Sequence, residues 1–365
     1  MVRADKIKNA KRFLVLNLIT DTIGDTLFLS PVFKVIKNNY PDSFVACTIS
    51  PKNQELLENC PHLDELIPLT ELKFLANKKL SKIKKTLLYF KLIRNASKIL
   101  RSRKFDVCFI MLPKTALTPL IPLFSKIPVQ VGYKSKFGIF DFLMYKKKEF
   151  VDKREIDEHF IYEYLDILAL LDLKWKDEDL VAVQNIRGDR INDVKKFLKE
   201  KNVDNLVSFQ IGAKGALWDW KNFAEVADHL IDKYNFDVML LGAPHEEPIM
   251  DNILNAVKNK NKVHKFTESL QTKAAMLKLS KFALCHDSGL AHMSSCAGTK
   301  TIDLFGPTSP KHAVPMGPGK VRVVCTFENC HPCSKRGTCS HYTCMKNITP
   351  KDVIEIIDNE MLKEV

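Results

Sequence analysis

A short turn near the amino terminus combines a glycine with a carboxylate. Residues 22–25 read Thr-Ile-Gly-Asp, after the apolar run 12–18 and before a stretch with helical periodicity. Gly24 lets the backbone turn tightly and approach a ligand closely. Asp25 could cap the helix by accepting hydrogen bonds from backbone N–H groups, or it could act as a general base. No G-x-G-x-x-G follows the strand, so this turn is not a dinucleotide fingerprint.

A second polar group follows another apolar run and precedes a helix of small residues. Residues 285–292 read Cys-His-Asp-Ser-Gly-Leu-Ala-His. The start of a helix offers backbone N–H donors and a positive dipole end to a phosphate. His292 lies one turn further, near enough to contact the same anion, although it could also be an ordinary packing histidine. The combination favours an anion or sugar-nucleotide site at Asp287, Ser288, Gly289 and His292.

Two further turns follow strands in the same half of the chain. Gly306-Pro307-Thr308 ends the run 301–305, and Thr308 can donate a hydrogen bond. Residues 242–247 read Gly-Ala-Pro-His-Glu-Glu, in which Glu246 or Glu247 could complement the helix dipole or hold ribose hydroxyls. Because these turns all follow parallel strands, we expect them to meet at one sheet edge. The sequence therefore predicts a nucleotide-diphosphate pocket.

The elements that position these turns alternate between short apolar runs and helical periods, which is typical of parallel α/β proteins. The charged join between the two halves falls near residues 175–190. Two open α/β domains facing each other would place a ligand cleft at the carboxyl ends of both sheets. The predicted strands are 13–18, 44–49, 65–69, 105–112, 129–133, 206–210, 237–241, 282–285 and 301–305.

The 365 residues carry a formal net charge of +13, and one segment holds nearly all of it. Residues 72–104 contain 12 Lys and Arg and no acid, mixed with apolar residues at helical spacing. Such a helix can rest on an anionic membrane surface and bind a phosphorylated lipid, or it can present an ordinary solvated face. Nucleic acid is not an expected partner, because aromatic residues are sparse there. The predicted acceptor or membrane contacts are Lys78, Lys79, Lys82, Lys84 and Lys85.

The chain is expected to be cytoplasmic and reduced. Its most apolar region, 107–129, is broken by lysines and prolines, so no membrane span is predicted. The apolar run 13–19 is too short for a signal peptide, and ten cysteines without an export signal indicate a reducing compartment. Four of them could form a structural zinc site or remain as packed thiols: Cys330, Cys333, Cys339 and Cys344. Without a D-x-D pair suited to Mg²⁺, no cofactor is expected to be required.

Several of these motifs together resemble a known family, the ADP-heptose:lipopolysaccharide heptosyltransferases of glycosyltransferase family nine. The amino-terminal part of the resemblance is residues 12–17, residues 23–26 and Pro31. The carboxyl-terminal part is residues 287–292, Gly298-Thr299 and residues 304–308, followed by the cysteine pattern and residues 348–353. The similarity covers nearly the whole chain in the same order.

The resemblance implies a GT-B fold, in which two Rossmann-like domains face each other across a cleft. We expect an acceptor domain at 1–180, a nucleotide-sugar domain at 181–350, and a helix at 351–365 that could pack back on the N-terminal domain. It implies inverting, metal-independent transfer of heptose from ADP-heptose to the lipopolysaccharide or lipooligosaccharide inner core. Asp25 would be the base, residues 287–290, His292 and Thr308 would line the donor, and Glu246 would hold the adenosine ribose.

One departure from the family pattern leaves alternatives open. The family usually has a cation just before a tryptophan after the strand 206–210, whereas Trp220 here is preceded by Trp218 and Asp219. Lys214 is the nearest positive charge and could reach the leaving phosphate. A different nucleotide sugar, or a non-catalytic basic lipid-binding protein, are the alternative functions. The expected acceptor is lipid A–Kdo or a heptosylated core, reached from the cytoplasmic face of the inner membrane.

Overall fold

The protein divides into two compact α/β units, which are described here from a computed structural model. The structure describes residues 6–75, 80–112, 115–135, 138–212, 220–333 and 339–362. The first unit is Met1–Asn185 and the second is Ile186–Val365. The predicted boundary after residue 180 falls within the first unit, because the Val183 backbone N–H donates a hydrogen bond to Ser30 Oγ at 2.9 Å.

The first unit is built on a six-stranded sheet in the order β3-β2-β1-β4-β5-β6, and every pairing in it is parallel. The predicted strands are present, and the short edge strand β6, a run of three lysines, was not predicted. The strands are β1 (Arg12–Leu16), β2 (Phe44–Ile49), β3 (Glu65–Pro68), β4 (Val107–Ile110), β5 (Val129–Tyr133) and β6 (Lys146–Lys148). The helices are α1 (Ile23–Leu27), α2 (Leu29–Asn39), α3 (Gln54–Leu57), α4 (Glu71–Leu75), α5 (Lys82–Arg101), α6 (Leu120–Phe124) and α7 (Tyr162–Ala169).

The central strands of this unit are apolar along their length because helices cover both faces of a parallel sheet. β1, β2 and β4 are almost completely buried. The stretch with helical periodicity that includes Asp25 is interrupted at Phe28, which separates the short α1 from α2. The interruption gives Asp25 its own short helix directly after β1.

The second unit contains another parallel six-stranded sheet, in the order β12-β11-β10-β7-β8-β9. Its predicted strands are confirmed to within a residue, whereas the partly exposed edge strands β9 and β12 were not predicted. The strands are β7 (Leu206–Gln210), β8 (Asp237–Leu241), β9 (Val263–Phe266), β10 (Ala283–His286), β11 (Thr301–Phe305) and β12 (Val321–Cys325). The helices are α8 (Gly188–Glu200), α9 (Phe223–Tyr234), α10 (Glu247–Ala256), α11 (Leu270–Leu279), α12 (Gly289–Cys296), α13 (Pro310–Ala313), α14 (Thr343–Lys346) and α15 (Pro350–Ile356).

The carboxyl-terminal helix contributes to the core of the second unit. Val353 of α15, and Ile357 and Met361 of the π-helical turn that follows it, are buried in the core of the second unit. The same core contains Val226 and Leu230 of α9. These apolar side chains therefore stabilise the second unit itself, and packing of the helix on the N-terminal domain stays a prediction.

Asp358 anchors this carboxyl-terminal turn to α9. Its carboxylate accepts hydrogen bonds from Lys233 Nζ at 2.7 Å and from Tyr234 Oη at 2.9 Å, and it lies 2.9 Å from His229 Nε2. Burial alone would raise the pKa of Asp358, but hydrogen bonds from these three side chains outweigh it and lower the pKa to about 2. The ionised form is therefore the one that stabilises the fold.

We expect Asp358→Asn to lower the free energy of unfolding of the protein by about 1 kcal/mol at neutral pH. Because the folded pKa lies below the unfolded one, the difference between wild type and variant should shrink as the pH falls from about 4 to about 2. Urea unfolding at several pH values measures this. Asp232→Asn, which alters an exposed carboxylate 3.7 Å from Lys258, is the matched control and should change little. A pH-independent difference would contradict the ionised role of Asp358.

Candidate functional site

The polar turns of the second unit meet at one sheet edge, as the sequence predicts. The strands β11, β10, β7 and β8 are neighbours in that order, so their carboxyl ends lie side by side. From the β10–β7 pair, the later strands β11 and β12 follow on one side and β8 and β9 follow on the other. Ligands of open parallel sheets bind at such a switch point in the strand order. The turns after these four strands carry Asp287, Thr308, Gly212 and Glu246.

Gln210, which the sequence analysis did not single out, joins two of these turns. Backbone pairing between β7 and β10 ends at Phe209 and Leu284. Beyond that point the buried Gln210 Oε1 accepts hydrogen bonds from the His286 backbone N–H at 3.1 Å and from Ser288 Oγ at 2.9 Å. Its amide nitrogen donates to the Gly212 carbonyl. The sequence signal for this role was a polar residue, Gln210, that ends an apolar strand two residues before Gly212.

Asp287 and Ser288 begin α12 as expected. Residues 287–290 are half-buried, between a buried strand and a largely buried helix. Thr308 Oγ1 donates a hydrogen bond to the Asp287 carboxylate, so the turns after β10 and β11 are linked, and two of the predicted donor residues are brought together. His292, one turn into α12, is 7% exposed, so most of this residue is buried.

A second carboxylic acid, Asp303, lies beneath this turn. It is 1% exposed, and neither of its carboxyl oxygens has a hydrogen-bond partner among the described residues. Burial, and then the nearby Asp287 carboxylate, raise the pKa of Asp303 well above its usual value. Burial and the neighbouring carboxylate thus both oppose ionisation of Asp303.

His286 and Trp220 organise the region next to the turn after β7. The Trp220 backbone N–H donates to His286 Nε2 at 3.2 Å, so the proton of the neutral ring lies on Nδ1. The Trp220 indole N–H donates to the Ile348 carbonyl at 2.8 Å. Lys214, the predicted cation for the leaving phosphate, lies outside the described residues, and its role stays a prediction.

The structure separates Glu246 from Glu247, which the sequence could not. Glu246 is half-buried and its carboxylate accepts a hydrogen bond from the Ala243 backbone N–H at 2.7 Å, whereas Glu247 is exposed. A Cβ atom at Gly212 would overlap the Glu246 carboxylate, and one at Gly242 would lie 3.0 Å from it. The Glu246 carboxylate thus lies across the ends of β7 and β8. It fits there because neither Gly212 nor Gly242 has a side chain.

The cysteine-rich segment packs against the turn after β11. His331 Nε2 lies 2.8 Å from the Thr308 carbonyl oxygen, and the Cys333 backbone N–H donates to the Pro307 carbonyl at 2.7 Å. Within the part of the chain that the structure describes, which includes all ten cysteines, no group of three or more His, Cys, Asp or Glu is arranged to hold a metal ion. Whether Cys330, Cys333, Cys339 and Cys344 hold zinc or remain as packed thiols stays a prediction.

In the first unit, Asp25 follows the central strand β1, between β2 and β4 in the sheet order. Thr22 occupies the cap position of α1 and Asp25 is its third residue, so Asp25 does not cap the helix. Among the described residues, the Asp25 carboxylate forms no ion pair or hydrogen bond. Tyr164, which the sequence analysis did not single out, donates its hydroxyl to the Asp25 carbonyl at 3.2 Å.

The loop around Asp25 contains further buried polar groups. Asn53 Nδ2 donates to Thr26 Oγ1 at 2.8 Å, which in turn donates to the Thr22 carbonyl at 2.7 Å. Asn17 Nδ2 and Thr22 Oγ1 are buried and have no hydrogen-bond partner among the residues that the structure covers. At this end of the first sheet, two buried polar atoms therefore have no hydrogen-bond partner in the described part of the fold.

The predicted basic contacts are partly described. Lys84 is exposed and Lys85 is half-buried on α5. Lys82 begins the same helix, but its side chain is outside the described part, as are Lys78 and Lys79 altogether. None of the described helices is both long and apolar enough to cross a bilayer.

Comparison with known proteins identifies the family. The profile of glycosyltransferase family 9 (heptosyltransferase) matches residues 93–343, more than half of the chain. The chain belongs to this family. It is 21% identical to lipopolysaccharide heptosyltransferase 2 of Escherichia coli over 362 residues, covering 94% of this chain and 97% of that protein. It is 26% identical to lipooligosaccharide heptosyltransferase 2 of Campylobacter jejuni over 248 residues, covering 64% and 75%.

Solved structures of family 9 members have the same fold. The glycosyltransferase from Veillonella parvula superposes with a TM-score of 0.78 at 20% identity, covering 97% of this chain and 98% of that one. The ADP-heptose lipopolysaccharide heptosyltransferase II of E. coli gives a TM-score of 0.76 at 19% identity, covering 96% and 98%. The predicted GT-B class is thus confirmed for this family 9 chain.

The overlap at Gly212 generates a test of the Glu246 geometry. We expect Gly212→Ala to displace the Glu246 carboxylate and to weaken ADP binding by about tenfold, with a loss of less than about 1 kcal/mol in stability because the overlapping atoms are the movable end of the Glu246 side chain. Isothermal titration with ADP and urea unfolding measure both effects. Gly188→Ala, where nothing lies within 4 Å of the added Cβ, is the control and should be neutral or slightly stabilising. Unchanged ADP affinity in Gly212→Ala would contradict the placement of Glu246.

Proposed function

We propose that this family 9 chain is an inverting, metal-independent heptosyltransferase. It would transfer heptose from ADP-heptose to the inner core of lipopolysaccharide or lipooligosaccharide. The observation that carries the proposal is the edge of the second sheet, where Glu246 lies across two glycine turns beside the α12 terminus that Gln210 fixes. The names of the heptosyltransferase relatives support the choice of sugar and acceptor.

The donor would be held by elements that suit each of its parts. Backbone N–H groups at the start of α12 suit the diphosphate, because the helix dipole favours negative charge there. Ser288 and Gly289 lie at this terminus, and Asp287, linked to Thr308, would orient sugar hydroxyls together with Leu290. His292 would contact the same anion, and Glu246 would accept hydrogen bonds from the adenosine ribose.

The chemical step needs a base and a stabilised leaving group. In the proposed reaction an acceptor hydroxyl oxygen forms a bond to the anomeric carbon of heptose while the bond from that carbon to the diphosphate oxygen breaks. The proton passes to the Asp25 carboxylate, and ADP leaves with the electron pair. The α12 terminus and Lys214 would stabilise its charge without a metal. The Asp25 carboxylate suits the role of base because no described group neutralises it.

The proposed acceptor, lipid A–Kdo or a heptosylated core, is a lipid. We therefore place the enzyme in the cytoplasm, at the cytoplasmic face of the inner membrane. The basic segment supports this assignment because anionic headgroups attract lysine and arginine. Lys84 and Lys85 on α5 belong to it, and Lys78, Lys79 and Lys82 would extend it.

Asp25→Asn should reduce the rate of heptose transfer by roughly 100- to 10,000-fold, because an amide cannot accept the acceptor proton. Binding of ADP, which involves the second unit, should remain unchanged. Turnover is measured as ADP release with ADP-heptose and a core acceptor. The control is Asp21→Asn, an exposed carboxylate in the same loop. Near wild-type turnover in Asp25→Asn would exclude Asp25 as the base.

The identity of the donor can be tested separately from catalysis. A ligand that binds only the folded protein stabilises it by about 2.7 kcal/mol at 100 times its dissociation constant. We expect ADP-heptose to raise the melting temperature more than ADP-glucose, a UDP-sugar or a GDP-sugar does. Glu246→Gln should reduce the shift for ADP-heptose, whereas Glu247→Gln should not. A larger shift with another sugar nucleotide would favour the alternative donor.

A further inference from the structure

The outer face of α5 combines exposed apolar side chains with exposed cations. Leu92, Ile93 and Ala96 turn inward and belong to the core of the first unit. On the opposite side, the first half of the helix exposes Ile83 (74%) and Leu87 (64%). Because these positions lie four residues apart, they share one stripe along the helix.

The same stripe continues as a basic surface in the second half of the helix. Phe90 is 54% exposed and lies seven residues after Ile83, and Arg94 and Arg101 follow at intervals of four and seven. Lys98 is also exposed, beside them. The helix thus presents an apolar end and a cationic end on one side.

The neighbouring helix α6 adds an aromatic side chain to this surface. Phe124 is 54% exposed and, with Phe90, lines a groove of about 470 Å³ whose remaining wall includes Arg94, Lys98 and Arg101. Ser97 lies at the base of the groove, where its hydroxyl donates to the Ile121 carbonyl at 3.2 Å and joins α5 to α6. We call Phe90, Phe124, Arg94, Lys98 and Arg101 the α5–α6 surface.

The charges of the α5–α6 surface have no structural use within the described fold. No Asp or Glu occurs between residues 72 and 104. In the described part of the chain, Arg94, Lys98 and Arg101 form no ion pair, although nearby Arg103 pairs with Glu65 at 2.5 Å. The helix does not need these side chains for its start, because Ser81 caps it by accepting from the Lys84 backbone N–H. Unpaired cations next to exposed rings suit an anionic, partly apolar partner.

We propose that the α5–α6 surface docks the protein on an anionic phospholipid membrane. Arg94, Lys98 and Arg101 would bind lipid phosphates, while Phe90 and Phe124 would enter the boundary between headgroups and acyl chains. Charge complementarity and exposed aromatic side chains both match a membrane interface, as in other peripheral amphipathic helices. The inference deepens the proposed function, on which it rests for the lipid nature of the acceptor.

The test measures co-sedimentation of the full chain with vesicles, without substrates. The wild-type protein should bind phosphatidylglycerol–phosphatidylcholine vesicles. It should bind pure phosphatidylcholine vesicles much more weakly. Replacing Arg94, Lys98 and Arg101 together by Gln should weaken binding about 100-fold, since each cation near an anionic surface contributes about fivefold. The matched control replaces Lys195, Lys196 and Lys199, three exposed lysines of α8, by Gln and should bind like wild type.

A second pair of variants tests the aromatic part. Phe90→Ser and Phe124→Ser should each weaken vesicle binding by about tenfold, whereas Phe327→Ser, at a 77% exposed phenylalanine of the second unit, should not. Equal binding of wild type and the triple Gln variant, or equal binding of wild type to both vesicle types, would overturn the proposal. So would a dimer in sedimentation equilibrium that Phe90→Ser dissociates, because a second copy would then occupy the surface.

Turnover separates this inference from the proposed function. The triple Gln variant should keep wild-type kcat/KM on a deacylated, water-soluble core acceptor and lose activity on the same acceptor embedded in vesicles. Equal loss on both acceptors would assign these cations to acceptor binding and overturn membrane docking. If wild type transfers no heptose to either acceptor, the proposed function fails, while the vesicle experiment still decides whether the surface binds lipid.

Discussion

The hydrogen bonds of the Gln210 side chain hold the candidate donor site together. At the middle of the second sheet, β7 and β10 stop pairing through their backbones, and the chain then leads away from both strands. A single side-chain oxygen continues the connection by accepting from the His286 N–H and from Ser288. The start of α12 therefore has a fixed position relative to Gly212. The elements expected to bind diphosphate and ribose are thus held in a fixed arrangement relative to each other. Losing the hydrogen bonds of Gln210 would release both turns, because a buried amide would be left without its partners.

Much of this site could be predicted from local sequence because parallel strands bring their carboxyl ends to one edge. Glycine, proline and polar residues directly after apolar runs marked the turns at Asp287, Thr308 and Glu246. Gln210 could not be assigned a role in the same way, because its partners lie 76 and 78 positions away along the chain. The distinction between Glu246 and Glu247 likewise depends on which carboxylate turns back to Ala243, and adjacent residues with the same chemistry carry no local signal for that.

The errors of the sequence-based prediction also have physical causes. The strands β6, β9 and β12 lie at sheet edges, where half-exposed residues do not produce a long apolar run. The apolar positions of the carboxyl-terminal helix pack with α9 in the core of the second unit, a pairing between distant segments that local sequence does not specify. For the cysteine-rich segment the sequence left zinc and packed thiols open, and the structure shows His331 and Cys333 against the Pro307–Thr308 turn.

The contact between Glu246 and Gly212 also has an evolutionary consequence. A side chain at position 212 would overlap the Glu246 carboxylate in its observed position, so the glutamate would have to move. Shortening the acid by one methylene would draw the carboxylate back and open space for a methyl group, so these two positions are expected to change together. Replacing only Gly212 would distort the turn. Replacing Gly212 and Glu246 together would give a more compact version of the same candidate site.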